Sequence, residues 1–572
     1  MIEHIMGDKD ILKPDGFRIA KTDLLISSLS INILSLALPA MTLQIYDRIL
    51  PNQGSGTLAV LVSGVCIAVV LEMLLRLGRA YSMGWAGAAY EHRLSCKAMD
   101  HILKSDLSVP MEYAIGEKLN RLASIGKLKD FYDGYSLITI FDLLFVPVFI
   151  VLTIYISGPL AIVPVAALMI FTVVSFMHGR KIRQALVSRD KVDDKRYDFL
   201  IESLEGVHSI KSFGLENIFT RRYEAYEERS TLANYDVTLR SARTFDTAAV
   251  ISNVMIAGVI GLGAVLALEG IISTGALIAT ILLSGRIMMP VQKALALWTK
   301  YQDYVLARQK VESLFDAPLH PVIHQPALPA EREGKLQIKN LSFKRKEDEP
   351  WLLKDMNLSL ERGDFLSIAS NDSAALSSLL DLISGIYAPT AGEVLVDGVN
   401  ILAYPPTELI NHVGYIQSEG VIFRGTIRDN LTCFGQIPAE KVQEMAALFQ
   451  IDRDIAALPS GFDTYLNGNA MDTITPGLKQ RISMVRVLAP KPRLIIYDNA
   501  DRSLDRAGYN LVYNLLGRLS GKATMIVCSD DRNITSQATR HLFLNKGVLQ
   551  EISHQNLNEH NRKYKEMSRE RF

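Results

Sequence analysis

LLISSLSINILSLALPAMTLQI occupies residues 24–45 and contains no charged side chain. A helix needs about 20 consecutive apolar residues to cross the hydrocarbon core of a bilayer, and a proline such as Pro39 is tolerated there. Five further apolar stretches precede residue 292, and none of comparable length follows it. They are 57–75, 136–156, 159–177, 247–268 and 271–291. Six such stretches favour a membrane bundle over the alternative, the buried helices of a large soluble core.

Two charged residues inside these stretches leave alternatives open. Asp142 is expected to face the bundle interior or an aqueous path, but it is merely interfacial if its span begins two turns later. Arg286 either lines a translocation pathway or extends its head group to the cytoplasm. Neither residue is assigned a catalytic role.

The basic residues predict the orientation of the spans. Segments 85–135 and 178–246 are rich in Lys and Arg, whereas the short connections 46–56, 157–158 and 269–270 contain one basic residue, Arg48. Because cytoplasmic loops carry the excess of Lys and Arg, we expect a multi-pass membrane protein with both termini and two long helical hairpins in the cytoplasm. Residues 1–22 lack the compact apolar core of a secretory signal and are expected to form an N-terminal cytoplasmic segment.

Composition excludes several other classes of protein. The 572 residues are 49% hydrophobic and 21% charged, which argues against disorder and against a small disulfide scaffold. Lys and Arg number 61, as do Asp and Glu, so the excess positive charge on which nucleic-acid binding depends is missing. The four cysteines are far apart and form no CxxC pair, which favours a reducing cytosolic face over a zinc site.

The rest of the chain changes character. We predict a transmembrane domain over 23–315, a proline-rich linker over 316–333, a soluble domain over 334–555 and a charged tail over 556–572. In the soluble domain, short apolar runs alternate with helical patterns. That alternation predicts an α/β domain with a mainly parallel sheet.

Local sequences in both halves resemble those of ABC exporters of the type I protein-secretion subfamily, over about residues 20–550. The resemblance implies a six-helix transmembrane bundle followed by an α/β nucleotide-binding domain of the P-loop NTPase type. It also implies ATP and Mg as cofactors, a polypeptide substrate and dimerisation with a second ABC half-transporter. Further implied partners are membrane lipid, a periplasmic adaptor and an outer-membrane channel, and the implied location is a bacterial inner membrane with the ABC domain in the cytoplasm. The stretches that carry the resemblance are 41–58, 141–145, 204–216, 275–292, 388–398, 425–431, 479–488 and 494–505.

The phosphate loop departs from the family pattern GxxGxGK[ST], whose glycines let backbone N–H groups wrap phosphates while the Lys neutralises their charge. The aligned residues 370–378 read SNDSAALSS. Ser370, Ser373 and Ala375 stand at the glycine positions, and Leu376 stands at the Lys position. A loop of this composition is predicted not to cradle a triphosphate.

The same loop contains an added negative charge. Asp372 lies in a segment that binds anions in the family. Ser377 still matches the magnesium-binding hydroxyl and is followed by Ser378. A magnesium site made from Ser377 and Asp498 is therefore expected only if nucleotide binds.

Other positions that the resemblance marks as functional are also changed. Asn499 stands where the catalytic Glu is expected, and an amide cannot act as a general base. Asp530 stands at the switch His position and Arg345 at the adenine-stacking Tyr. The γ-phosphate sensor aligns with Ser418, although a shift of one position would make it Gln417.

Residues that serve the partner's ATP in the family are less altered. In the signature segment, Thr475 keeps a hydroxyl and Gly477 permits close backbone approach at a helix N-terminus. Asp505 remains in the turn that crosses the family's dimer interface. This asymmetry indicates the non-catalytic half of a heterodimer. The alternative explanation is that the signature segment and the turn at Asp505 are retained only because the fold depends on them. The alternatives are a homodimeric exporter with slow ATPase activity and a non-transporting membrane scaffold.

Overall fold

The computed structural model describes residues 17–107, 115–132, 135–323, 332–346, 349–468, 472 and 474–552. It divides the chain into two units. The first contains Met1–Lys104 and Glu112–Ala317, and the second contains Ser105–Met111 and Pro318–Phe572.

The first unit is helical. Its helices extend well past the apolar stretches, so both predicted hairpins are mostly helical in their described parts. The helices are α1 (Phe17–Leu34), α2 (Ala37–Gln44), α3 (Leu50–Asn52), α4 (Ser55–Lys104), α5 (Ile115–Tyr132), α6 (Tyr135–Leu144), α7 (Val146–Ser157), α8 (Ile162–Glu205), α9 (Val207–Ser212), α10 (Glu216–Leu268) and α11 (Thr274–Glu312).

Five helical stretches of the described chain are long and apolar enough to cross a membrane. One of them, Ile138–Glu205, includes both the third and the fourth predicted spans. It is interrupted between α7 and α8 by a 3-10 turn at Gly158–Ala161, where Gly158 has a φ of +54°. The predicted count of six spans therefore stays a prediction.

The first predicted span is also interrupted. α1 ends at Leu34, α2 begins at Ala37, and a π-helix over Ile45–Ile49 follows. π-helices are rare and redirect the side chains within them. This one aims Asp47 at the beginning of α11, where Ser273 donates a hydrogen bond of 2.7 Å to its carboxylate.

The second unit contains the predicted α/β domain. A six-stranded sheet has the order β12-β11-β3-β10-β9-β6, parallel except for the β11–β12 pair. A four-stranded sheet of order β2-β1-β4-β5 is antiparallel. The strands are β1 (Leu336–Phe343), β2 (Leu353–Leu360), β3 (Phe365–Ser370), β4 (Ala391–Val396), β5 (Val399–Asn400), β6 (Val413–Ile416), β7 (Gly425–Thr426), β8 (Tyr465–Leu466), β9 (Leu494–Asp498), β10 (Thr524–Cys528), β11 (Arg540–Asn545) and β12 (Val548–Glu551).

Helices cover the parallel sheet of this unit and complete two apolar cores. One core contains Leu366, Leu379 and Ile496, and the other contains Phe365, Ile482 and Tyr497. Successive residues of β3 thus enter different cores, as expected for a strand buried on both faces. The helices are α12 (Ser373–Ile383), α13 (Pro406–His412), α14 (Ile427–Leu431), α15 (Ala439–Leu448), α16 (Ile451–Ala456), α17 (Pro476–Leu488), α18 (Arg506–Leu519) and α19 (Arg532–Thr535).

Candidate nucleotide site

Four strands of the parallel sheet bring the predicted site residues to one edge. β3 ends at Ser370, β9 at Asp498, β10 at Cys528 and β6 at Ile416. The strands are paired in parallel in the order β3-β10-β9-β6, so their carboxyl ends lie side by side. Open α/β sheets bind ligands at this edge. The phosphate loop, Asn499, Asp530 and Ser418 all follow these strand ends.

Asp372 caps the helix that follows the phosphate loop. Its side chain accepts hydrogen bonds from the backbone N–H groups of Ala374 at 3.0 Å and Ala375 at 3.1 Å. These amides belong to the first turn of α12, whose unpaired N–H groups and dipole favour a negative charge. In this chain the negative charge at the N-terminus of α12 is supplied by the chain itself, through the Asp372 carboxylate.

Ser370 closes the phosphate loop on itself. Its hydroxyl donates to the backbone carbonyl of Leu544 at 3.0 Å and accepts from the backbone N–H of Asp372 at 2.9 Å. Ala375 is fully buried and Leu376 packs against the same core. The loop therefore directs apolar groups inward where the family pattern has glycine and lysine.

The two serines at the end of the loop differ in position. Ser377 is exposed, as a residue at the mouth of a site would be. Ser378 is fully buried, and its hydroxyl forms no hydrogen bond within the described chain. Ser373, the first residue of α12, is also exposed.

Asp498 is engaged by its neighbours. Its carboxylate accepts hydrogen bonds from the Asn499 side-chain amide at 3.0 Å and from the Tyr415 hydroxyl at 3.3 Å. Asp381 of α12 lies in the same region. Burial, with the charge of Asp498 nearby, raises the pKa of Asp381 to about 6. Within the described residues, no group of three His, Cys, Asp or Glu side chains is placed to hold a metal ion.

Asp530 is held by an ion pair within the chain. Its carboxylate binds the guanidinium of Arg502, and both side chains are exposed. Asn499 has a φ of +47°, and its backbone N–H donates to the carbonyl of Cys528 at 2.7 Å. Arg345 is exposed beside the sheet.

The two candidates for the γ-phosphate sensor lie just beyond β6. Gln417 is exposed, and its backbone carbonyl accepts a hydrogen bond of 2.8 Å from Gln480. Ser418 is half-buried, and its carbonyl accepts a weaker one of 3.4 Å from Ser503. Both alignments place a candidate at the sheet edge.

The signature segment begins a helix with a neutral cap. The Thr475 hydroxyl accepts a hydrogen bond of 3.3 Å from the backbone N–H of Leu478 in the first turn of α17. A Cβ atom at Gly477 would lie 3.5 Å from the backbone of Ser503 and of Asp505. Asp505 itself caps α18 by accepting from Gly508 N–H at 2.8 Å. The predicted signature and turn residues are thus in contact.

Asp142 lies inside the helical bundle. It is 8% exposed and accepts a hydrogen bond of 3.2 Å from Asn32, and Arg79 lies 3.9 Å away. These partners come from α1 and α4. The structure therefore favours the interior position that the sequence left open. Arg286 is half-buried on α11.

Sequence reasoning missed three groups near the site: Asp381, Tyr415 and Arg502. Asp381 is the only charged residue of α12 and lies in the stretch SLLDLI, so a charge inside an apolar helix was an available signal. No sequence signal marked Tyr415 or Arg502, because their contacts depend on which strand ends lie next to each other in the sheet.

Comparison with known families agrees with this architecture. Residues 24–291 match the family model described as the ABC transporter transmembrane region, and residues 353–502 match the model described as ABC transporter. The chain is an ABC transporter. Its transmembrane domain precedes an ABC domain, and ATP and Mg are the cofactors of that domain family.

Bacterial toxin exporters are among the relatives of this ABC transporter. The leukotoxin export ATP-binding protein LtxB of Aggregatibacter actinomycetemcomitans is 25% identical over 93% of this chain and 75% of its own length. The alpha-hemolysin translocation ATP-binding protein HlyB of Escherichia coli is 25% identical over 92% of this chain and 74% of its own length. A solved structure of a bacterial Atm1-family ABC exporter with ATP bound superposes with a TM-score of 0.81 at 19% identity, over 97% of this chain and 98% of that one. The chain is thus homologous to type I secretion exporters and has the exporter fold.

Proposed function

We propose that this chain is the non-catalytic half of a heterodimeric exporter of the type I secretion class. The observation that carries the proposal is the Asp372 carboxylate, which accepts both hydrogen bonds at the first turn of α12. A triphosphate would need those N–H groups and would meet a like charge there.

No Lys or Arg occurs within residues 370–378 to offset that repulsion. Leu376 packs against the apolar core where a Lys would neutralise phosphate charge. Ser377 and Asp498 retain the residue types of a magnesium site, but Mg²⁺ in such sites depends on substrate phosphates for part of its coordination. The residues of this chain's own loop therefore do not fit MgATP, and no step of the mechanism passes through that loop.

The beginning of α17, which is proposed to meet the partner's ATP, has a different kind of cap. Thr475 and Pro476 are exposed at the beginning of α17, and the cap there is a neutral hydroxyl. A helix N-terminus without its own carboxylate can receive phosphate. We propose that a competent ABC half binds ATP on its own phosphate loop and closes it against residues 475–477 of this chain.

The transported substrate is proposed to be a polypeptide. Support comes from the relatives, whose names describe the export of leukotoxin and the translocation of alpha-hemolysin. We further propose a bacterial inner-membrane location with cytoplasmic termini, and assembly with a periplasmic adaptor and an outer-membrane channel.

A binding experiment tests the loss of the ATP site. The full-length chain in detergent is exposed to a photoreactive ATP analogue with Mg²⁺, and its ATPase activity is measured in proteoliposomes. We expect no labelling above that of a sample competed with excess ATP, and no activity. ATP hydrolysis by the purified homodimer at an ordinary exporter rate would support the homodimeric alternative.

A gain-of-function variant sharpens that test. Restoring the family pattern with Ser370→Gly, Asp372→Asn, Ser373→Gly, Ala375→Gly and Leu376→Lys is expected to permit labelling by the analogue. Hydrolysis should still be absent, because Asn499 remains in place of a general base. A wild-type chain that labels as strongly as this variant would contradict the proposal.

Coexpression tests the heterodimer. The chain should copurify with a second ABC half, and deleting either one should abolish polypeptide export. Normal export without this chain would favour the scaffold alternative.

A further inference from the structure

A cavity of about 660 Å³ lies within the helical unit. It is bounded by the α6–α7 junction, by α8 and by α11, through residues such as Leu143, Phe171 and Val291. A volume of this size is typical of a small-molecule site. Its walls are mostly apolar, so an occupant must be apolar over most of its surface.

One end of the cavity is polar and cationic. Arg183 and Ser175 line it on the α8 side. Arg189, six residues further along the same helix, is paired with Asp303 at 3.1 Å, whereas no described residue forms an ion pair with Arg183. An unneutralised guanidinium beside an apolar cavity complements a ligand with an anionic head and an apolar body.

The position of Arg183 along its helix identifies the layer in which that head would lie. The apolar stretch of α8 ends near Met177, and Arg183 is about 9 Å beyond it at 1.5 Å per residue. That distance places the guanidinium in the head-group layer of a bilayer. The basic segment 178–246 assigns this side to the cytoplasm, where membranes expose anionic lipid head groups.

Trp298 of α11 lines the same end. A Cβ atom at Gly179 would lie 2.6 Å from its indole Nε1, so the absence of a side chain at Gly179 lets the ring lie against α8. The side chain is 45% exposed. Tryptophan favours the membrane interface because its ring is apolar while its N–H can donate a hydrogen bond to a polar head group.

We propose that this cavity binds an anionic phospholipid of the surrounding bilayer. Its acyl chains pack between α7, α8 and α11, and its phosphate pairs with Arg183 beside the indole N–H of Trp298. The inference rests on the helical unit alone and is independent of the proposed loss of the ATP site.

Lipid titration of the delipidated full-length chain in detergent tests the site. Phosphatidylglycerol is expected to raise the unfolding temperature by several degrees more than phosphatidylcholine does. Arg183→Gln should lose at least half of that difference, and Arg183→Lys should keep most of it. Arg229→Gln is the matched control, because it removes the same charge from an exposed position on α10 and should behave as wild type.

A second pair of measurements does not depend on stability. Ser175→Trp, which fills the cavity, should reduce the number of phosphatidylglycerol molecules retained in native mass spectra. A photoreactive amino acid at Thr172 should crosslink to lipid. Equal responses to the two lipids, or an unchanged response in Arg183→Gln, would overturn the proposal. So would crosslinking at Thr172 to a polypeptide substrate or to a second copy of the chain instead of lipid.

Discussion

At the scale of single residues, Asp372 connects sequence, structure and proposed function. Asp is among the preferred N-cap residues because its carboxylate accepts hydrogen bonds from free backbone N–H groups. In α12 it accepts two of them. The residue that is proposed to exclude phosphate therefore also stabilises the helix that the phosphate loop precedes.

Asp372→Ala should lower the stability of the ABC domain by about 1 kcal/mol, the usual cost of removing an N-cap. In a domain of this size that corresponds to a fall of about 2–4 °C in its unfolding temperature, which differential scanning fluorimetry can measure. Asn371→Ala, at the exposed neighbouring position, should change little. An unchanged melting temperature in Asp372→Ala would show that the cap is not formed.

Asp397 provides a second test at this scale. Its side chain is 4% exposed, it accepts hydrogen bonds from the backbone N–H groups of Gly334 at 2.7 Å and Lys335 at 2.9 Å, and His412 lies 3.6 Å away. Burial alone would raise the pKa of Asp397, but His412 and these two N–H groups hold it below its ordinary value of 3.8.

Stability should therefore depend on pH through Asp397. As the pH falls, the unfolded chain takes up the proton first, so the stabilisation by the Asp397 charge is complete above about pH 5, begins to fall near pH 4 and is lost as the pH passes through the lower pKa of the folded state. Asp397→Asn should cost about 1 kcal/mol at pH 7, and its difference from wild type should shrink in acid. Unfolding curves recorded from pH 7 to pH 3 measure this change.

The control for this prediction is Asp463, which pairs with Arg428 at 3.1 Å on the surface. Exposed ion pairs contribute about 0–1 kcal/mol. Asp463→Asn should therefore have little effect at any pH. A pH-independent difference between Asp397→Asn and wild type would contradict the assigned pKa direction.

At the scale of elements, the π-helix at Ile45–Ile49 connects the first and last membrane helices. Asp47 accepts hydrogen bonds from the Ser273 hydroxyl at 2.7 Å and the Gly275 N–H at 3.0 Å, at the N-terminus of α11. A Cβ atom at Gly275 would lie 2.4 Å from the Asp47 carboxylate. The stretch 41–58 and the stretch 275–292 thus meet through a carboxylate cap.

Asp47→Ala should destabilise the helical unit by about 1–2 kcal/mol, because it removes a charged cap from the beginning of α11. The measurement is thermal unfolding in detergent, with protease sensitivity of the connection between α10 and α11 as a second readout. Glu269→Ala removes an exposed carboxylate from that connection and should be nearly neutral. Equal effects of the two substitutions would argue against the cap.

The sheets show where pattern reasoning was sufficient and where it was not. The short apolar runs 365–368, 494–497 and 525–527 lie in β3, β9 and β10 of the parallel sheet, where both faces of each strand are buried and continuous apolar sequence is expected. The antiparallel sheet was not predicted, although two of its pairings, β1–β2 and β4–β5, join consecutive strands, the second through the Asp397–Gly398 turn. Only the β1–β4 pairing joins strands distant in sequence, and local composition does not encode that pairing.

At the scale of the whole molecule, two helix N-termini differ in what caps them. Asp372 places a carboxylate at α12, and Thr475 places a hydroxyl at α17. In a dimer of the family type, the first faces this chain's own nucleotide and the second faces the partner's. This difference supports a role in which the chain assists hydrolysis by its partner.

Thr475→Asp should therefore reduce the ATPase activity of the coexpressed heterodimer by at least tenfold, because it adds a carboxylate at the exposed beginning of α17, where the partner's phosphate would approach. Ser377→Ala, in this chain's own loop, should leave that activity unchanged. The assay is ATP turnover by the purified complex in proteoliposomes.

Thr475→Asn separates charge from shape in this assay. Asn is also a preferred N-cap residue, so the fold should be retained and turnover should fall much less than in Thr475→Asp. If Thr475→Asp leaves the partner's turnover intact while Ser377→Ala reduces it, the assignment of roles to the two segments is reversed.

The sequence by itself determined that a transmembrane domain precedes an ABC domain, and it predicts where the soluble domain begins and which residues stand at the family's functional positions. These properties follow from the length of apolar stretches, the placement of charge and the order of motifs, all of which are local. The Asp372 cap of α12 is local as well, because it joins residues two and three apart, although the sequence interpretation did not assign it. The tertiary structure alone decided that Asp142 lies between α1 and α4 and that Asp47 caps α11. Each of those contacts joins groups whose meeting depends on backbone direction and on the packing of distant segments, which no local pattern specifies.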